Sequence, residues 1–212
     1  MVNLQFEDEV DIAIDGLYVS GDLKVPLNAK GIILFSHGSG SSRHSPRNKY
    51  VAGYFNKRQI GTLLFDLLTE EEDKISENRF NLPLLSSRLI EATKWILDTP
   101  VTFDCNIGYF GASTGAASAL IAASELKFVK AVVSRGGRPD LAFNVLPTLM
   151  TPTLLIVGSE DHEVIKLNES ALAMLPGKKK MDIIPGATHL FEEPGTLDLV
   201  CESAYEWFDM YL

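Results

Sequence analysis

Ser113 stands in Gly111-Ala112-Ser113-Thr114-Gly115, a G-x-S-x-G pattern between a short apolar run and an alanine-rich stretch. A serine hydroxyl is a poor nucleophile until a base takes its proton, so chemistry here requires a histidine and an orienting acid elsewhere. There are four histidines: His37 and His44 precede the serine, and His162 and His189 follow it. His189, in "IPGATHLFEEPG", comes just past the last apolar run and is the expected base. His162 is the weaker candidate because it adjoins the expected acid, Asp161 of "LLIVGSEDHEV". Glu160, Glu163 and Asp140 are nearby alternatives for that acid, and a loop aspartate can also simply cap a helix.

Acyl chemistry also needs donors for a developing oxyanion. The run His37-Gly38-Ser39-Gly40 closes an apolar segment, and its glycines allow backbone N–H groups to approach a ligand. Ser39 N–H and Thr114 N–H are the expected donors, with Gly38 and Gly40 beside the substrate. Arg43 and Arg47 follow this loop, and Arg135 and Arg138 follow "KAVVS". These four guanidiniums can bind an anionic substrate through bidentate forks. Equally, they can pair with Asp66, the acidic run 70–73, Asp140 or Glu192 to tie loops together. The acidic run itself reads as a solvated loop.

These residues need a scaffold that brings strand ends together. "LQFEDEVDIAID" and "LYVSGDLKVP" read as a hairpin across Asp15-Gly16. After Asn28, "GIILFSH", "GTLLFDLL", "NIGYFGA", "KAVVSRG", "TPTLLIVG" and "KKKMDIIP" suit parallel strands buried on both faces. Helices are expected over Pro46–Arg58, Pro83–Leu97, Thr114–Leu126, Asn168–Leu175 and Gly195–Tyr211. Alternation of strand and helix gives a doubly wound, mostly parallel α/β sheet with an N-terminal antiparallel hairpin. Sites in such sheets lie beyond the carboxyl ends of the strands, where the candidate residues stand. Only a dozen residues separate Arg138 from Thr151, too few for a substantial lid, so an open site for small or medium substrates is expected. Phe143, Leu146 and Leu149 either wall an acyl pocket or cover the sheet.

A chain of 212 residues is sized for one domain, 1–212. A net charge of −9 argues against nucleic-acid or anionic-membrane partners, which ask for a basic face. The acidic, alternating start is unlike a secretory signal, and no apolar run is long enough to span a membrane. Cys105 and Cys201 form neither a disulfide framework nor a zinc spacing and read as apolar filler, which fits a cytoplasmic location. No metal or organic cofactor is expected; oligomeric state is not legible.

The blocks "SHGSGSSRHSPRN", "LLFDLLTEEE", "YFGASTGAASAL", "VSRGGRPDL", "LLIVGSEDHEV" and "PGATHLFEEPG" together resemble the α/β-hydrolase superfamily, and within it the dienelactone-hydrolase-like group. The order Ser113, Asp161, His189 is the one expected there. The resemblance implies Ser113 as nucleophile, Asp161 as acid and His189 as base. Dienelactone hydrolases proper use a cysteine nucleophile, so serine at 113 points away from dienelactone and toward an ordinary carboxylic ester. Some members are joined to a phosphoribosyltransferase domain, for which 212 residues leave no room. The expected function is hydrolysis of a small-molecule ester, thioester or lactone. Acyl transfer by the same triad and a non-enzymatic binding module are the rivals.

Overall fold

A computed structural model describes residues 2–212. Strands β1 (Leu4–Ile14) and β2 (Leu17–Pro26) form the hairpin. Its turn residues Asp15 and Gly16 both have positive φ, 47° and 78°, as a two-residue turn matched to strand twist requires. Then follow β3 (Gly31–Ser36), β4 (Gly61–Phe65), β5 (Asn106–Ala112), β6 (Ala131–Arg135), β7 (Thr153–Gly158) and β8 (Lys179–Ile184). The eight strands form one sheet in the order β1-β2-β4-β3-β5-β6-β7-β8. The pairs β1–β2 and β2–β4 are antiparallel, and the rest are parallel.

Helices α1 (Pro46–Asn56), α2 (Glu70–Asp73), α3 (Leu82–Asp98), α4 (Thr114–Glu125), α5 (His162–Met174) and α6 (Thr196–Tyr211) lie between or after the parallel strands. The pleat sends alternate residues to opposite faces and so builds two cores. Ile32, Leu34, Leu63 and Tyr109 pack with α3, α4 and α5, whereas Ile33, Phe35, Leu64 and Phe110 pack with α1 and α6. Strands apolar on both faces, as the sequence shows, are what such a sandwich needs.

Three expectations shift. Helix α5 begins at His162, six residues before the expected start, because Val164 and Ala171 carry its buried stripe from the first turn. Strand β8 closes the sheet edge and is largely exposed, not buried on both faces. The acidic run is no solvated loop. It is the single-turn α2, with a capping box between Thr69 and Glu72, and Glu72 accepts from the buried Arg88 at 2.6 Å.

Between Arg138 and Thr151 the chain makes only two 3₁₀ turns, at Pro139–Ala142 and Leu146–Thr148. Leu146 and Leu149 are fully buried in the core and cover the sheet, with Phe143 packed against them. Cys105 and Cys201 are unbridged, and burial pushes the Cys201 thiol up to about 12, which suits packing and not reactivity. No helix among the described residues is long and apolar enough to cross a membrane.

Candidate active site

Ser113 connects β5 to α4 with φ 52° and ψ −122°, a left-handed region that a non-glycine residue enters at a cost of roughly 1–3 kcal/mol. The flanking glycines permit it. A Cβ on Gly111 would lie 2.5 Å from Ala116 Cα, and one on Gly115 would lie 2.1 Å from the Ser36 carbonyl oxygen. This is the sharp turn that lifts a nucleophile above the sheet. The elbow is held from outside by the Ser113 N–H, which donates to Arg135 O at 3.3 Å, and by the Arg138 N–H, which donates to Ser113 O at 3.1 Å.

His189 follows β8, and Asp161 stands at the end of β7 just before α5. The two side chains meet: His189 Nδ1 lies 2.6 Å from Asp161 Oδ2. Asp161 occupies the N-cap position of α5 yet makes no capping bond, so its carboxylate is left for the imidazole. The alternatives are committed elsewhere or point away. Asp140 takes both arms of Arg138 at 2.8 and 2.7 Å, Glu160 accepts from Ser159, and Glu163 and His162 are exposed on the first turn of α5. His189 rests against the β6 end, where a Cβ on Gly136 would lie 3.6 Å from its Cε1. The Ser113 hydroxyl is not hydrogen-bonded to the imidazole in this arrangement; such contacts often tighten only around substrate.

Sequence reasoning missed the clamp on the histidine loop. Thr188 donates through its N–H and its hydroxyl to the two oxygens of Glu193, at 3.1 and 2.6 Å. Phe191 in the same loop sits at φ 56° with its ring buried. A glutamate four residues past the histidine was the available signal.

On the other side, Gly38 is packed onto Ser113; a Cβ there would be 3.1 Å from Ser113 Cβ. His37 lies beneath the loop, with Nε2 accepting from Leu67 N–H and Nδ1 facing Gly38 O, each at 3.1 Å. That pattern fixes the neutral tautomer with the proton on Nδ1. Burial lowers the His37 pKa, against opposing contributions from the Gly38 bond and the charges of Asp66 and Asp73. The Ser39 N–H donates to Thr114 Oγ1 at 2.8 Å. Gly40 turns at φ 69° in the open.

The four arginines divide. Arg43 contacts Glu9, Asp22 and Asp66; Arg47 pairs with Glu192; Arg138 pairs with Asp140. The first two tie separate segments together, whereas Arg138 braces its own loop, two residues from its partner. Arg135 differs: it is 6 % exposed, it pairs with no carboxylate, and its polar contact is a 3.3 Å bond to Asn48 Oδ1. Burial, and then the like charge of Arg47, lowers its pKa to about 10. The Phe191 ring lies 5.8 Å away.

A cavity of about 420 Å³ opens at the loop after β3, lined by His37, Ser41, Arg43, Asp66, Thr69 and Glu70 among others. Ser113 is not among the residues that line it. No cluster among the described residues has the makings of a metal site.

No protein-family model matches the chain. The crystal structure of dienelactone hydrolase from Anabaena variabilis is 51% identical, with 98% of each chain covered and a TM-score of 0.94. Est1E from Butyrivibrio proteoclasticus shares the fold at 17% identity, with a TM-score of 0.80 over 94% of this chain and 97% of that one. Two Mycobacterium tuberculosis proteins named "Putative phosphoribosyl transferase" are 52% identical over 203 residues, which is 95% of this chain. That match spans only 46% of their length, so the chain corresponds to about half of these curated relatives.

Proposed function

The chain belongs to the dienelactone-hydrolase family within the α/β-hydrolases, and on that footing we propose that it is a serine hydrolase of small or medium carboxylic esters. Ser113 attacks the ester carbonyl while His189 Nε2 takes its proton; Asp161 holds Nδ1 and stabilises the imidazolium. The carbonyl π pair moves to oxygen at the N-terminus of α4, where Thr114 N–H is free of helical bonding. Collapse expels the alcohol, protonated by His189, and water activated by the same imidazole releases the acid. Thioesters and lactones follow the same course.

The observation that carries this reading is one convergence. A serine in left-handed backbone, and a histidine bonded to an otherwise uncommitted aspartate, stand at the carboxyl ends of β5, β7 and β8. One observation favours an anionic substrate: Arg135 is a buried guanidinium without a carboxylate, next to the strand end that holds the elbow. Phosphoribosyl transfer, named for the longer mycobacterial proteins, is substitution at a sugar carbon and has no use for an acyl-enzyme serine. We therefore assign this chain hydrolysis.

Intact-protein mass after exposure to a fluorophosphonate tests the assignment. Wild type gains one adduct and Ser113→Ala none; a folded wild type that takes no adduct sinks it. Ser113→Ala and His189→Ala each lower kcat by about 10⁴-fold or more, and the double variant loses little further.

A further inference from the structure

The oxyanion loop shows an arrangement that the ordinary pair of backbone donors does not account for. Ser39 N–H, the donor expected from the loop, is already spoken for by Thr114 Oγ1 at 2.8 Å. The loop has little freedom to offer that N–H elsewhere. His37 bonds on one side to Gly38 and on the other to Leu67, and Gly38 abuts the Ser113 side chain. Thr114 is 6 % exposed and β-branched on the first helical turn, where threonine has two χ1 rotamers. Its oxygen therefore occupies the place in front of Ser39 N–H that an oxyanion would occupy if that N–H bound it directly.

A hydroxyl that accepts one hydrogen bond still has a proton to donate, and none of its described neighbours receives that proton. Resting on the serine-hydrolase reading above, we infer that the Thr114 hydroxyl is itself an oxyanion donor. Ser39 N–H acts behind it, polarising the O–H through a two-bond chain. Chains of this kind strengthen each link in a water-poor site. As Ser113 Oγ bonds to carbonyl carbon and the π pair moves to oxygen, the new O⁻ receives bonds from Thr114 N–H and Thr114 Oγ1–H. The threonine keeps its proton throughout, and the serine proton goes to His189 Nε2. One residue thus supplies both near donors, and the loop supplies the second rank.

The test compares wild type, Thr114→Val, Thr114→Ala and Thr114→Ser on a p-nitrophenyl ester, with an alkylboronic acid as a tetrahedral mimic. Losing the hydroxyl in the Val or Ala variant lowers kcat roughly 10²-fold, the scale of one lost oxyanion donor. KM changes less than about twofold, and boronate affinity falls in parallel with kcat/KM. Thr114→Ser restores kcat to within about threefold. A thermal midpoint identifies a variant that has not folded, and alanine, smaller than the native residue, serves if valine crowds the turn. A Val or Ala variant with wild-type or higher kcat overturns the inference: the oxygen is then a plug that substrate displaces. So does a Ser variant no better than Ala, which would make the effect one of packing. If wild type itself neither turns over esters nor takes the fluorophosphonate, the hydrolase reading fails first and this one falls with it.

Discussion

Arg43, in the loop after β3, and Arg135, the last residue of β6, both turn inward, with 10 % of the Arg43 side chain and 6 % of Arg135 exposed, yet they have opposite surroundings. Arg43 is ringed by Glu9, Asp22 and Asp66. Burial pulls its pKa down, but the three carboxylates outweigh that and raise it. Arg135 has an amide, an aromatic face and a second guanidinium. A buried charge with its counter-ions in the same chain is a structural fixture; one without them is costly and is a candidate for recognising something from outside. The first joins the hairpin to the loops after β3 and β4. The second sits where the elbow and the histidine loop meet.

The largest effect that could break this contrast is on folding. Arg43→Met leaves three carboxylates facing one another, with Lys49 3.6 Å from Asp22 as partial relief. Unfolding in urea should show a loss of about 2–3 kcal/mol, less than for a fully enclosed pair because the carboxylates are partly exposed. Unchanged stability would mean that the ring is a surface ornament. Arg135→Met should instead hold or raise the thermal midpoint, since an apolar side chain of similar length removes an unpaired buried charge. Its cost should appear in binding: about a tenfold higher KM for an ester carrying a carboxylate, with a neutral ester of equal size unaffected. Equal changes for both esters, or destabilisation matching that of Arg43→Met, would erase the distinction.

The smallest effect concerns His37, a half-buried titratable ring that, like Arg135, has no carboxylate bonded to it. Its folded pKa lies below the ordinary 6.5, so between those values the unfolded chain binds more protons than the folded one. Stability is therefore intact above about pH 6.5 and declines as pH falls through that window, by at most about 1.4 kcal/mol per pH unit. In His37→Gln, which keeps an acceptor for Leu67 N–H, this part of the acid slope should vanish. An identical slope in both proteins would assign it to other groups.

Much of the scaffold is legible in residue order. Asp15-Gly16 marks the hairpin, and doubly apolar runs such as "GIILFS" announce a sheet covered on both faces, because these are local properties of the chain. The glycines around Ser113 could be read from the local G-x-S-x-G pattern, but only the clash that Gly111 avoids, with Ala116, is local; the one that Gly115 avoids is with the Ser36 carbonyl at the end of β3. What stayed hidden depends on side chains meeting across the fold. Nothing local says that Arg43 finds three acids while Arg135 finds none, nor that Thr114 turns its hydroxyl to the Ser39 N–H. The early start of α5 escaped because His162 and Glu163 look like loop residues until Val164 is seen to be buried. The exposure of β8 follows from its place at the edge, which strand composition does not encode.

The backbone at Ser113 has a consequence for how this position can vary. Glycine would relax the left-handed turn and would also remove the hydroxyl. A population of variants screened for heat resistance alone is therefore pulled toward glycine at the residue that the proposed reaction most needs. Serine survives at 113 only under a screen that demands reaction, so repeated passages under the two regimes should drift apart there before they diverge elsewhere in the elbow.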